Sequence, residues 1–192
     1  MWDCRSKTEA AVFRPKNGSV RDVEFSPILQ YKFAGVFDNG KLQIWDYRYI
    51  AEPFMKIVAH AKTTVSVEWH YSIPWRLATG SHDNTVKIWD LDESTANQRN
   101  LMAPQKRRPA LMEQTPKPSL TITCAAPVSR AKWRPRHENQ IALALDPPMR
   151  GKDVAIQVHD VYDSWVPLVV VQGGDDVKNG FCWLDTPLTP PP

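Results

Sequence analysis

His60, Thr79 and Asp83 are the residue types from which a hydrolytic centre is assembled: an imidazole base, a hydroxyl nucleophile and an orienting carboxylate. Trp89 follows them and changes the chemistry. An indole N–H only donates, an ionised carboxylate only accepts, and a hydroxyl or neutral imidazole does both. The four therefore read as one chain: Asp83 accepts from His60, His60 bonds the Thr79 hydroxyl, and Thr79 meets the Trp89 indole. Such a chain satisfies every buried polar group it contains. The terminal tryptophan and the recurrence of these positions along the sequence weigh against catalysis. The tetrad reads as structural.

What positions it is a repeat. Trp2-Asp3, Trp45-Asp46 and Trp89-Asp90 are separated by 43 and 44 residues, and His159-Asp160 follows 70 residues later. A period near ~40–45 residues ending in Trp-Asp marks a propeller blade of four strands. Strand a recurs as VRDVEFSP, TVSVEWHY and VSRAKWRP, with KNGFCWLD a partial fourth. Its apolar pairs, Val23/Phe25, Val67/Trp69, Ala131/Trp133 and Phe181/Trp183, alternate as in a half-buried strand with the large ring on one face. Strand b reads YKFAGVF, RLATGS and QIALAL; strand c reads KLQIWDY, TVKIWDL and VAIQVHDV. Strand d, the least marked, reads PFMKIV, SLTITC and WVPLVVV. Asp-Asn-Gly at 38–40 and Asp-Asn at 83–84 supply tight b–c turns.

The expected fold is all-β: a partial WD-repeat β-propeller over 1–185, with complete blades at about 20–58, 64–125 and 128–171 and partial blades at both ends. In the first blade Asn39 takes the aspartate position and Gly35 the threonine position; in the third, Asp153 keeps the aspartate and His159 replaces tryptophan. These two blades are expected to rely on packing more than on polar networks. Propellers close with about 4–8 blades. Three suggest a fragment, a truncated gene model or a piece completed by another chain.

Bulk properties exclude several classes. Of 192 residues 42% are hydrophobic, enough for a substantial core, and no apolar run approaches the ~20 residues of a membrane span. MWDCRSK is no secretory leader. Cys4, Cys124 and Cys182 are odd in number and far apart, as reduced thiols are, without zinc-site spacing. The net charge is +3, and residues 93–118 hold five basic and two acidic groups, leaving 19 of each elsewhere. The folded remainder is neutral, so no nucleic acid is expected as a partner. With four prolines and no aromatic residue, 93–118 reads as a disordered c–d insertion, and 186–192 as a disordered tail.

Further motifs have bland readings. Gly173-Gly174-Asp175-Asp176 superficially matches nucleotide-cyclase signatures but falls where a turn is required anyway. Lys106-Arg107-Arg108 is either an import or acidic-lipid patch or a solvated loop, the latter favoured. There is no glycine-rich phosphate cradle, no metal-spaced cluster and no carboxylate pair tied to a plausible cleft. No enzyme, metal or cofactor is expected. Arg48, two residues beyond Asp46, resembles the WDxR element by which some WD-repeat proteins dock on a cullin-4 ubiquitin ligase adaptor; the alternative is an ordinary exposed arginine.

The order NGSVRDVEFSP, FAGVFDNGKLQIWDYR, AHAKTTVSVEWH, RLATGSHDNTVKIWDL, VSRAKWRP resembles the N-terminal propeller of the WD-repeat subunit of the SEA/GATOR complex. The resemblance implies a scaffold acting with partner WD-repeat subunits, cytoplasmic and peripheral at the vacuolar or lysosomal membrane without inserting, relaying amino-acid sufficiency to TOR complex 1. The 93–118 insertion and His159 depart from the family pattern, and three scattered cysteines cannot supply its zinc-binding RING-like region. The competing readings are a cullin-4-type substrate receptor using Arg48 and a chromatin or nucleic-acid factor using the basic insertion.

Overall fold

A computed structural model describes residues 2–15, 18–49, 51–92, 116–146, 154–173 and 180–184. Alternating apolar and polar residues fold into strands, and each run of four strands pairs in chain order as an antiparallel meander. The first sheet joins β3 (Val20–Phe25), β4 (Lys32–Phe37), β5 (Lys41–Asp46) and β6 (Met55–Val58). The second joins β7 (Thr64–Trp69), β8 (Arg76–Ser81), β9 (Thr85–Asp90) and β10 (Leu120–Thr123). The third joins β11 (Val128–Trp133), β12 (Gln140–Leu145), β13 (Val154–Asp160) and β14 (Val169–Gly173). Ahead of them β1 (Trp2–Asp3) pairs with β2 (Thr8–Glu9). Each innermost strand carries an irregularity at the same point, after Val20, Thr64 and Val128. A bulge there increases the local twist of the blade.

The core lies between sheets. Ala34, Val36, Leu42, Ile44, Met55 and Ile57 of the first blade meet Val67, Trp69, Leu77 and Trp89 of the second. Ala78, Val86, Ile88 and Ile122 of the second meet Ala131, Trp133, Ile141 and Leu143 of the third. Each fully buried aliphatic or aromatic side chain contributes about 1.5–3 kcal/mol, so the stacking of blades carries the fold. Small residues on strand b let sheets approach: a methyl added at Gly80 would lie 2.8 Å from a Val128 methyl.

Phe25, Trp69 and Trp133 occupy one register position, opposite Phe33, Leu77 and Ile141. Their environments differ. Trp69 and Trp133 are 3% exposed, whereas Phe25 is 54% exposed. The three rings stand at equivalent positions, and Phe25 is the exposed one because its side of the first blade faces away from the second. At the other end, residues 180–184 of the expected partial strand form no strand. Most of the 93–118 insertion, all of 186–192, Asp153, Lys106-Arg107-Arg108 and Gly174-Asp175-Asp176 lie outside the described residues.

Candidate functional site

The second blade brings His60, Thr79, Asp83 and Trp89 together. His60 follows β6, Thr79 sits in β8, Asp83 in the β8–β9 turn and Trp89 in β9. Trp89 Nε1–H donates to Thr79 Oγ1 at 2.9 Å. Because that oxygen accepts from the indole, its own proton goes to His60 Nε2, 2.8 Å away. The imidazole proton is then on Nδ1, donated to Asp83 Oδ2 at 3.0 Å. Asp83 also accepts from the Thr85 hydroxyl at 2.6 Å and from the backbone N–H of Thr85 and Ala61 at 3.1 and 3.3 Å.

Burial pushes the His60 pKa below its ordinary value against the pull of Asp83, so the ring is neutral near pH 7. Burial by itself would raise Asp83; the hydrogen bonds from Thr85 and His60 outweigh it and hold the carboxyl low. His60, Thr79 and Trp89 are buried. The Thr79 hydroxyl is engaged on both sides, with no face open to a substrate.

Packing alone does not serve the other two blades. In the first, Trp45 Nε1–H donates to Gln43 Oε1 at 3.2 Å. In the third, His159 Nε2 lies 3.1 Å from Gln157 Oε1, and its Nδ1 lies 3.2 Å from the Ser164 carbonyl. Where strand b offers Gly35 or Leu143 instead of threonine, a glutamine two residues before the ring sets its side-chain oxygen against a ring nitrogen. These blades, expected to rely on packing more than on polar networks, each keep one ring–glutamine contact in place of the full tetrad. The signal was in the sequence: QIW and QVH stand where the complete blade has KIW.

A second polar system runs across the seams between blades. Asp22 Oδ2 accepts from Val67 N–H at 3.1 Å, and Glu24 Oε2 from Trp69 N–H at 2.8 Å. One blade on, Ser66 Oγ accepts from Ala131 N–H at 3.2 Å, and Glu68 Oε2 from Trp133 N–H at 2.7 Å. The third blade has Arg130 and Lys132 at the equivalent positions. Arg130 reaches back to Asp22 Oδ2 at 3.3 Å, and Lys132 to Glu68 Oε1 at 3.7 Å. Burial raises the pKa of Glu24 to about 7 and that of Glu68 to about 8, against the pull of their N–H donors and of Lys132.

Indoles reinforce the seams: Trp69 Nε1–H donates to the Glu24 carbonyl at 3.2 Å, and Trp183 Nε1–H to the Lys132 carbonyl at 3.5 Å. The acceptors went unnoticed in the sequence because their partners lie 45 and 65 residues away.

Arg48 is spatially apart from the tetrad. Its Nε and terminal nitrogen grip Asp46 at 2.9 and 2.7 Å, and its guanidinium carbon stands 4.0 Å from the Tyr31 ring centroid. Asp46 is also bonded by Lys32 at 2.9 Å. The Arg48 bonds, then Lys32, hold the Asp46 carboxyl well below the usual carboxylate range. The Arg48 side chain is half-exposed, but its donors already serve a carboxylate of its own strand end. Among the described residues no His, Cys, Asp and Glu cluster could hold a metal ion.

Four-stranded meanders stacked face to face, with a Trp or His ring closing strand c of each, define a WD-repeat β-propeller chain. The model of the WD domain, G-beta repeat, matches residues 51–90. Over 182 residues the chain is 30% identical to the GATOR2 complex protein WDR24 of Gallus gallus, covering 95% of this chain and 22% of that protein. It is 29% identical to the Homo sapiens protein of the same name, covering 95% and 20%. The chain thus spans about a fifth of the length of the curated relatives it matches. Among solved structures, a chain of the Mitotic Checkpoint Complex shares the fold, with a TM-score of 0.65 at 17% identity over 88% of this chain and 45% of that one.

Proposed function

We propose that this chain is a non-enzymatic interaction scaffold, the WD-repeat subunit of a GATOR2-type complex, and that it acts through that complex in the control of TOR complex 1 by amino acids. The observation that carries the proposal is the similarity to proteins named WDR24 along 95% of the chain. The tetrad supports the non-enzymatic part: the Thr79 hydroxyl is buried and takes the Trp89 indole N–H beside its bond to His60, which suits a role in fixing the second blade. The mechanism is geometric, with rigid blades holding turns and strand edges in fixed relation to partner subunits. No helix among the described residues is long and apolar enough to cross a membrane; peripheral placement on the vacuolar or lysosomal surface is part of the proposal.

Affinity purification of the protein from its own cells, with quantitative mass spectrometry, tests it. Recovery of GATOR2-type subunits, together with altered phosphorylation of TOR complex 1 substrates on amino-acid withdrawal in a deletion strain, is the expected result. Recovery of a cullin-4 adaptor instead, lost with Arg48→Ala, would replace this reading with the docking one. The engagement of Arg48 by Asp46 does not favour that outcome.

A further inference from the structure

His70 is a buried imidazole outside the tetrad. It directly follows β7, at the mouth of the turn that leads into β8. Its backbone N–H donates to the Arg76 carbonyl at 2.8 Å, as that of Ser26 donates to Lys32 in the first blade and that of Arg134 to Gln140 in the third. Ser26, His70 and Arg134 therefore hold one position in three successive a–b turns.

What each offers its turn differs. Ser26 Oγ accepts from the backbone N–H groups of Ile28 and Leu29 at 3.4 and 3.0 Å. His70 Nδ1 takes over that part, accepting from those of Ser72 and Ile73 at 3.2 and 3.0 Å. The Arg134 side chain bonds Gln140 Oε1 at 2.7 Å instead, and its backbone carbonyl accepts the His137 N–H. A backbone N–H only donates, so Nδ1 of His70 carries no proton and the neutral ring is protonated on Nε2. That proton is donated to the Glu138 carbonyl of the third blade at 3.0 Å. The tautomer is opposite to that of His60.

The turn of the first blade thus hangs on an oxygen that does not titrate, and that of the second on a nitrogen that does. A proton added at Nδ1 would face two N–H donors and leave them without their acceptor, while the Nε2 bond across the seam would persist. Trp133 meets the ring edge-on with centroids 4.7 Å apart, and Tyr71 stacks on it at 4.8 Å. Three charged groups act on it. Burial and then Arg76 oppose protonation, Glu138 and Asp90 favour it, and burial prevails. The stability this ring contributes is complete above the ordinary histidine value near 6.5 and is lost as pH falls toward the depressed folded value.

The same turn contains a strained residue. Trp75 has a φ of +61°, in the left-handed region that bulky side chains avoid. Its stack on Phe54, with centroids 5.6 Å apart, and the Leu91 N–H donated to its carbonyl at 3.0 Å hold it there. Such a conformation persists only while its surroundings impose it.

We propose that His70 is an acid-sensitive latch: a proton taken up at Nδ1 releases residues 71–75 from the end of the second blade and leaves the sheets in place. In a meander the a–b turns and c–d connections lie at one end, so the released turn shares its end of the blades with Arg48. An interaction surface at that end changes shape as pH falls. The latch does not depend on the GATOR2-type reading.

NMR on the whole chain tests it. At about pH 7.5 the imidazole nitrogen shifts should show His70 protonated on Nε2 and His60 on Nδ1. Between about pH 7.5 and about pH 5.5, hydrogen-exchange protection of the Ser72 and Ile73 amides should fall at least about fivefold, while that of Ile28 and Leu29 holds. His70→Asn supplies a side-chain oxygen to the same two N–H groups without titrating, and should abolish the fall. Where that variant is too unstable to measure, the contrast between the two turns of the native chain decides. A His70 proton on Nδ1, equal loss at both turns, a loss that survives in His70→Asn, or unchanged protection at Ser72 and Ile73 overturns the proposal.

Discussion

The backbone N–H of Trp133 donates to Glu68 Oε2 at 2.7 Å, across the seam between the second and third blades. That carboxyl is largely buried, so the bond joins two blades at the cost of placing an acid in an apolar seam. Burial raises its pKa to about 8. A group whose folded pKa lies above its unfolded value near 4.5 contributes stability at low pH that is lost as pH rises through the folded value. His60, His70 and His159, all held low by burial, act in the opposite direction, but their contribution is complete above about pH 7. Tm should therefore fall from about pH 7 to about pH 9, and Glu68→Gln, which keeps an acceptor for Trp133, should flatten the decline. A Tm that climbs over this interval, or a slope the variant leaves unchanged, contradicts the assignment.

The tetrad predicts a ranking. Asp83 accepts from His60, Thr85 and Ala61 in the second blade, whereas Asn39, at the same position of the first, accepts from the Lys41 N–H at 3.3 Å. Asp83→Ala removes the carboxylate shared by His60, Thr85 and Ala61, leaves His60 Nδ1 with the Thr85 hydroxyl at 3.1 Å, and should destabilise by about 1–3 kcal/mol. Asn39→Ala should cost clearly less. Thr79→Val, which removes the hydroxyl between His60 and Trp89, belongs with Asp83→Ala. Urea denaturation of the three variants gives the order, and an Asn39 variant as damaging as the others would refute it.

Gln43 and Gln157 make a prediction of their own. Trp45 and His159 are buried, and each places a ring nitrogen on a glutamine oxygen. Gln43→Leu preserves much of the volume but leaves the indole N–H without an acceptor, at a cost of about 1–3 kcal/mol. Gln157→Leu should be milder, since the single N–H of a neutral His159 can sit on Nδ1 and be donated to the Ser164 carbonyl. If Gln43→Leu is neutral or stabilising by thermal melt, packing carries these blades after all.

Much of this architecture was legible because it is local. The alternation Val67/Trp69, the Trp-Asp closing β5 and β9, and the glycine or asparagine turns each express a period or a backbone preference within a few residues. That sufficed for an all-β propeller chain. The seams were opaque for the opposite reason. Glu24 reads in sequence as the solvent-facing partner of Phe25, yet it bonds Trp69 in the next blade. Phe25 reads like Trp69 and Trp133, but its burial depends on what stands on its far side, which no property of its own strand encodes. The replacement of threonine by Gly35 looked like loss of a network because the compensating glutamine lies on a different strand.

The b–c turns give the last prediction. Gly40 and Asn84 occupy equivalent turns with φ of +77° and +66°, in the left-handed region. The carbonyls of both are used: Ala59 and His60 donate to Gly40 at 2.9 and 3.0 Å, and Cys124 donates to Asn84 at 2.8 Å. A Cβ at Gly40 would collide with the backbone carbonyl of His60, which cannot swing away as a side chain could. Gly40→Ala therefore adds a clash to the left-handed penalty of about 1–2 kcal/mol for an L-residue. It should be among the most damaging turn substitutions in the chain, and because His60 holds the tetrad, the damage should reach the second blade. Asn84→Gly tolerates the same φ and should change stability by less than about 1 kcal/mol. Tryptophan fluorescence during denaturation reads both blades. Gly40→Ala should shift the whole transition downward, and a shift confined to within error of Asn84→Gly would show that the turn can rearrange and that His60 does not depend on it.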